Sequence, residues 1–275
     1  MTSQITDRRR LAVVVSGVLL AFVGTPSAWA QDAAEPATGA NQTAELQTGG
    51  VITPEAQAVL DRMRAAFMGM KRYAVTADIT RDEVLPFGYK LQNNEQARMW
   101  VDAPTGLRLE VDGDIKHRTY VYDGKQLTMF APDNNVYATS DAPATLGELV
   151  GKLLDAGVEM PLIDLLYEGY AGSLTDDVRV GLVVGESEVD GVATDHLAFR
   201  QPSVDWQLWV DKGAQALPRK LLITTRYEVG DPQYQAILHW DLKPRIDAKS
   251  FVFVPPSDAT KIPFHTELFA RGEQK

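Results

Sequence analysis

Tyr73-Ala74-Val75-Thr76-Ala77-Asp78-Ile79-Thr80 alternates, residue by residue, between side chains that seek an interior and side chains that tolerate water. A period of two is the mark of a strand with one buried face. Just upstream the period is different. Val59, Leu60, Met63 and Phe67 recur at helical spacing, and Thr53-Pro54-Glu55 supplies an N-cap, a proline at the first helical position and an acid for the helix dipole. The chain therefore enters its folded part through one amphipathic helix and turns to sheet after Gly69.

Short alternating runs follow at Gln96 to Val101, Leu107 to Val111, Arg118 to Tyr122 and Gln126 to Phe130. Between them stand Asn93-Asn94, Pro104-Thr105-Gly106, Asp112-Gly113, Asp123-Gly124 and Pro132-Asp133-Asn134, residues suited to tight turns, so neighbouring strands run antiparallel. The rhythm breaks between Thr145 and Tyr167. There Leu146, Leu149, Val150, Leu153 and Leu154 keep helical spacing, and Pro161 to Tyr167 forms a second short helical run. Strands resume at Val178 to Val189, Val192 to Arg200, Trp206 to Val210, Arg219 to Arg226, Tyr234 to Trp240 and Phe251 to Val254, with Asp190-Gly191 as a hairpin turn. The reading is α+β: one sheet of about eleven strands, an N-terminal helix and a mid-chain helical segment. A sheet this long curls, and the helices are the material available to cover its concave face.

The first thirty residues have the layout of a secretory signal: Arg8 to Arg10, an apolar run from Leu11 to Val23, and Ala28-Trp29-Ala30, with cleavage expected after Ala30. That run is too short to span a bilayer as a helix, so the expectation is a periplasmic, non-membrane-spanning protein. Residues 31–52 are poor in side chains to bury and read as a disordered linker, leaving 53–275 as a single domain. The chain has no cysteine, which excludes disulfides, thiolate metal sites and bacterial lipidation. Its net charge of −10 becomes −12 once Asp7 and the three arginines are removed, an acidity that argues against nucleic acid and anionic membrane surfaces.

Chemistry is scarce. His117, His196, His239 and His265 form no paired-ligand motif, and neither a nucleophile elbow nor a phosphate-cradling loop is present. Asp82-Glu83 and Asp176-Asp177 fall in expected turns, and Glu186 and Glu188 share one strand face. The expectation is no enzyme, no metal and no cofactor.

Four segments carry a family likeness. Leu60 to Thr80 passes from helix to strand. Met99-Trp100-Val101-Asp102-Ala103-Pro104 ends a strand in a Trp-Val-x-x-Pro segment. Tyr122-Asp123-Gly124-Lys125-Gln126-Leu127 holds an Asp-Gly-Lys hairpin, and Phe251-Val252-Phe253-Val254-Pro255-Pro256 closes on paired prolines. In order and spacing these resemble a family of predicted periplasmic proteins of unknown function and, beyond it, the LolA/LolB-like superfamily that handles lipoproteins. The resemblance implies a half-open, incomplete barrel with helices as a lid over an apolar cavity for acyl chains. It also implies a departure, because Ala103 stands where the lipoprotein chaperone has a lid-locking arginine.

In such a barrel Met99, Leu107, Leu109, Val111, Trp206, Leu208 and Val210 are the cavity-lining candidates, since each lies on the apolar face of its strand. Trp100, Trp209 and Trp240 are candidates for the cavity mouth, where an indole N–H meets water while its ring stays apolar. The expected partner is a hydrophobic small molecule or an acylated protein. The alternative is an interaction or sensory role, in which the sheet binds an envelope protein.

Overall fold

The computed structural model of the chain describes residues 51–158 and 160–264. The signal, most of the linker and His265 lie outside them. The first element is a two-residue strand, β1 (Val51–Ile52), inside the segment expected to be linker. Helix α1 (Pro54–Gly69) follows, capped by Thr53, whose hydroxyl accepts from Ala56 N. Ala56, Val59, Leu60, Met63 and Phe67 form its buried face.

The meander then runs β2 (Arg72–Val84), β3 (Lys90–Asp102), β4 (Gly106–Gly113), β5 (His117–Tyr122), β6 (Gln126–Ala131) and β7 (Val136–Asp141). A helical stretch comes next, with α2 (Leu146–Asp155), α3 (Ile163–Leu166) and a π-helical turn at Tyr167–Ala171. The second meander is β8 (Val180–Val189), β9 (Val192–Arg200), β10 (Val204–Asp211), β11 (Pro218–Thr225) and β12 (Gln233–Asp241), and a short β13 (Thr260–Lys261) ends the described chain.

All thirteen strands join one unclosed sheet in the order β1-β8-β9-β10-β11-β12-β2-β3-β4-β5-β6-β7-β13. The pairing is antiparallel throughout except at the two edges, where β1 and β13 lie parallel to β8 and β7. The two meanders meet at a seam where β12 pairs with β2 from Tyr234↔Arg81 to Asp241↔Ala74. Strands β7 and β8 are neighbours in sequence but stand near opposite edges. Residues 142–179 must therefore cross a face of the sheet, and that crossing carries α2, α3 and the π turn. Its apolar side chains and those of α1 form one cluster with the inner face of the strands.

One expected strand is absent. The closing strand at Phe251–Val254 does not form: Ala248–Phe251 is a 3-10 turn, capped by Asp247, and Pro255-Pro256 offer no N–H to a ladder. The apolar alternation there serves a strap across the outer face of the first meander. Phe251 lies over Gly106, where an added Cβ would sit 2.8 Å from the ring. Phe253 packs on Phe130 and Tyr137 at 5.6 and 5.4 Å. The sheet otherwise is the expected one, with thirteen strands among the described residues where the sequence pattern gives about eleven. β7 follows a left-handed Asn135 directly after the Pro132–Asn134 turn, and β1 and β13 are too short to show a period.

Candidate functional site

The seven cavity-lining candidates lie on the inner face of the sheet. Met99 pairs with Leu109, and Leu107 and Val111 flank it on β4. Trp206, Leu208 and Val210 share the same face of β10. All seven are 0–6% exposed and belong to the single core cluster. They form two patches, one in each half, with β11, β12 and β2 between them. The crossing segment lies against this face through Leu146, Leu149, Val150, Leu153, Ile163 and Leu165.

The mouth candidates divide. Trp240 faces inward, packing on Phe67 and Tyr73 at 5.6 Å each, with its Nε1 donating to Pro218 O at 2.7 Å. Trp100 and Trp209 face outward, because each sits one residue out of phase with the buried Met99 and Leu208. Trp209 is sandwiched on that outer surface between His196, stacked at 4.2 Å, and the Lys220 ammonium at 4.6 Å. These two tryptophans mark no opening of the inner face.

The interior holds polar atoms that sequence patterning did not single out. The hydroxyls of Tyr73, Tyr170, Tyr234 and Thr225 and the Nε1 of Trp206 are buried without a hydrogen bond of regular geometry among the described residues. All five can donate. Tyr73 and Tyr170 interact through their hydroxyls, without regular hydrogen-bond geometry, and burial pushes both phenols above their ordinary pKa. Burial, with Glu95 and Asp164 adding negative potential, does the same to Tyr234.

Two buried acids belong to the crossing. Glu168, in the π turn, is paired: it accepts from Arg64 Nε at 3.0 Å and from Leu174 N at 2.6 Å, and Arg64 continues to Ser173. This network fastens the turn to α1. Asp164 has no cation among the described residues, and burial raises its carboxyl to about 6.

Where the crossing begins, an open cleft of about 470 Å³ is lined by Pro104, Thr145, Leu146, Gly147, Glu148, Tyr170 and Ala171. Thr145 caps α2 through Glu148 N, and Leu146 N donates to Pro104 O at 2.8 Å. Gly147 permits the contact between α2 and the π turn, since a Cβ there would lie 2.4 Å from Tyr170 O. Tyr170 thus joins the cleft wall to the buried tyrosines. Ala103 precedes Pro104 and packs against the core as a partly buried residue.

No group of three or more metal-ligating side chains occurs among the described residues. His117 is held by Asp133 and Asp112 at 2.6 and 2.9 Å, His196 by Gln207, and His239 by Asp78. Asp82 and Glu83 lie within β2 rather than in a turn, because the β2–β3 hairpin extends beyond them. The acids are engaged as well: Asp82 with Lys90, Asp176 with the Tyr167 hydroxyl, and Glu186 with Lys212.

The protein is thus a single open sheet whose inner face is crossed by its own helical segment, with a cleft at the start of that crossing. The chain belongs to the family of predicted periplasmic proteins DUF2092, whose model matches residues 56–265. No helix among the described residues is long and apolar enough to cross a membrane. Among solved structures, it is similar to the lipoprotein LppX of Mycobacterium tuberculosis at 15% identity and TM-score 0.45, covering 71% of this chain and 98% of that one. An uncharacterized conserved protein from Thermus thermophilus shares 14% identity at TM-score 0.43, covering 76% and 99%. A LolA superfamily protein from Nitrosomonas europaea shares 10% identity at TM-score 0.36, covering 72% and 97%. A search of curated proteins finds no match.

Proposed function

We propose that the protein is a periplasmic carrier that holds a lipid, an acyl chain or an acylated protein between the inner sheet face and the 142–179 crossing. The observation that carries this reading is a set of buried donors, the hydroxyls of Tyr73, Tyr170, Tyr234 and Thr225 and the Nε1 of Trp206, that make no hydrogen bond of regular geometry among the described residues, in a largely apolar interior. Leaving a buried donor unpaired costs about 1–3 kcal/mol. A ligand with an apolar chain and an acceptor headgroup, such as a carboxylate or an ester, relieves that cost while its methylenes contribute about 0.8 kcal/mol each. The cleft beside Tyr170 is the entrance in this reading, and Met99, Leu107, Leu109, Val111, Trp206, Leu208 and Val210 are the floor. Residues 1–30 direct export and are cleaved after Ala30, and 53–275 act as one domain.

The test is native mass spectrometry with organic extraction of the protein purified from the periplasm. The expected result is a stoichiometric lipid or acylated species and a protein that begins at Gln31. Clean protein that also refuses a fluorescent fatty acid overturns the reading. One observation favours partner binding in that event: β8 is covered by β1 only at Val180 and Gly181, and Leu182 and Val184 beyond it are exposed. An uncovered strand edge accepts an extended peptide.

A further inference from the structure

The hairpin of β2 and β3 stands out of the sheet. Its rungs run from Arg72↔Asp102 to Val84↔Lys90, but β4 stops pairing with β3 at Glu95↔Gly113 and β12 stops pairing with β2 at Tyr234↔Arg81. At about 3.3 Å per residue, the five rungs beyond β4 form an arm roughly 16 Å long. Beside it at that height runs the 226–232 loop, where Gln233 N donates to Asp82 and Val229 lies 3.9 Å from a Cβ built on Gly88.

The apex of this arm is apolar. Phe87 is fully exposed, and Tyr89, Leu91, Tyr227 and Val229 around it are exposed as well. Five of the eleven large hydrophobic side chains exposed on the described surface thus lie on this arm and the 226–232 loop beside it. The backbone makes the choice of residue more telling. Phe87 has φ 75, a left-handed conformation that glycine or asparagine adopts readily and a bulky residue adopts at a cost of roughly 1–2 kcal/mol. Neither folding nor solubility asks for phenylalanine there, and strain held at an exposed position points to use.

We propose that this apex docks on a zwitterionic phospholipid bilayer, inserting Phe87 and Val229 into the boundary between headgroups and acyl chains with Tyr89 and Tyr227 at headgroup depth. The shape favours a soft partner, because a projecting ring on a convex tip has no groove of its own to receive another protein's side chains. Tyrosine combines an apolar ring with a polar tip, the combination enriched at membrane interfaces. Along the arm Lys90 is paired with Asp82 at 2.9 Å, and Asn93 donates to Glu83 at 3.1 Å. With a net charge of −10 on the whole chain, adhesion does not come from attraction to anionic lipid. Alternation also places Leu91 on the same side of the arm as Ala97, Met99 and Val101. The proposal stands without the carrier reading.

The experiment is flotation of the mature protein with phosphatidylcholine–phosphatidylethanolamine vesicles, comparing wild type with Phe87→Gly and Val229→Ser. Glycine suits φ 75, so Phe87→Gly should melt at the same temperature as wild type or higher while its partition into vesicles falls about tenfold. Adding phosphatidylglycerol should not raise wild-type binding. The proposal is overturned if wild type does not float, if Phe87→Gly floats equally well, or if the apex instead drives self-association that Phe87→Gly abolishes in light scattering.

Discussion

Asp164 is the residue whose surroundings make the clearest demand on solution behaviour. It is buried beside Tyr234, with Glu95 and Arg81 acting on the same phenol, and its carboxyl is raised to about 6 from an ordinary 3.8. The folded state therefore holds this proton more tightly than the unfolded chain does. Its contribution is fully present below pH 4 and is lost as the pH rises to 6, a difference of about 3 kcal/mol. Asp164→Asn should remove that slope, matching wild type at pH 4 and exceeding it at pH 8 in urea midpoints; equal midpoints at pH 8 would dismiss the account. Gly147 gives a second expectation. Gly147→Ala should cost about 1–3 kcal/mol by driving α2 off the π turn, and a thermal melt unchanged by the substitution would show that the contact is dispensable. None of this was legible in the sequence. Tyr73, Tyr170 and Tyr234 come from three elements far apart in the chain, and no local period announces that their hydroxyls share one interior. The outward direction of Trp100 and Trp209 was legible, because each is adjacent to a residue assigned to the inner face.

At the level of elements, what the sequence made readable was whatever repeats. The strands β2 to β6 and β9 to β12 follow from alternation and turn residues, and α1 from its cap and apolar stripe. The strap failed that test, since Phe251 and Phe253 imitate a strand while serving to cover the outer face. The crossing was visible as helix, but its path was not, since the path depends on β7 and β8 standing near opposite edges. Its fastening is uneven. Arg64, Glu168 and Ser173 tie the π turn down, whereas α2 borders the open cleft and ends near Gly157, which has φ 69. Amide exchange should therefore be faster in α2 than in β2 and β3, with the π turn intermediate. Equal protection across α2 and the central strands would rule out the crossing as the moving part.

Taken as a whole molecule, the sheet is two meanders joined at the seam between β12 and β2. That seam lies in the middle of the sheet and links residues such as Asp78 and His239, which are 161 apart in sequence. Each meander can assemble from neighbours as it appears, but β2 must wait for a strand 161 residues further along, measured from Asp78 to His239. Contacts of such separation slow folding because the intervening loop must be closed before they form. A chain that emerges from its N-terminus thus carries an unfilled ladder at its centre until β12 has emerged. Its hazard during biogenesis is mispairing of β2 with the wrong strand, and its greatest need for a holdase falls before Gln233 to Asp241 arrive.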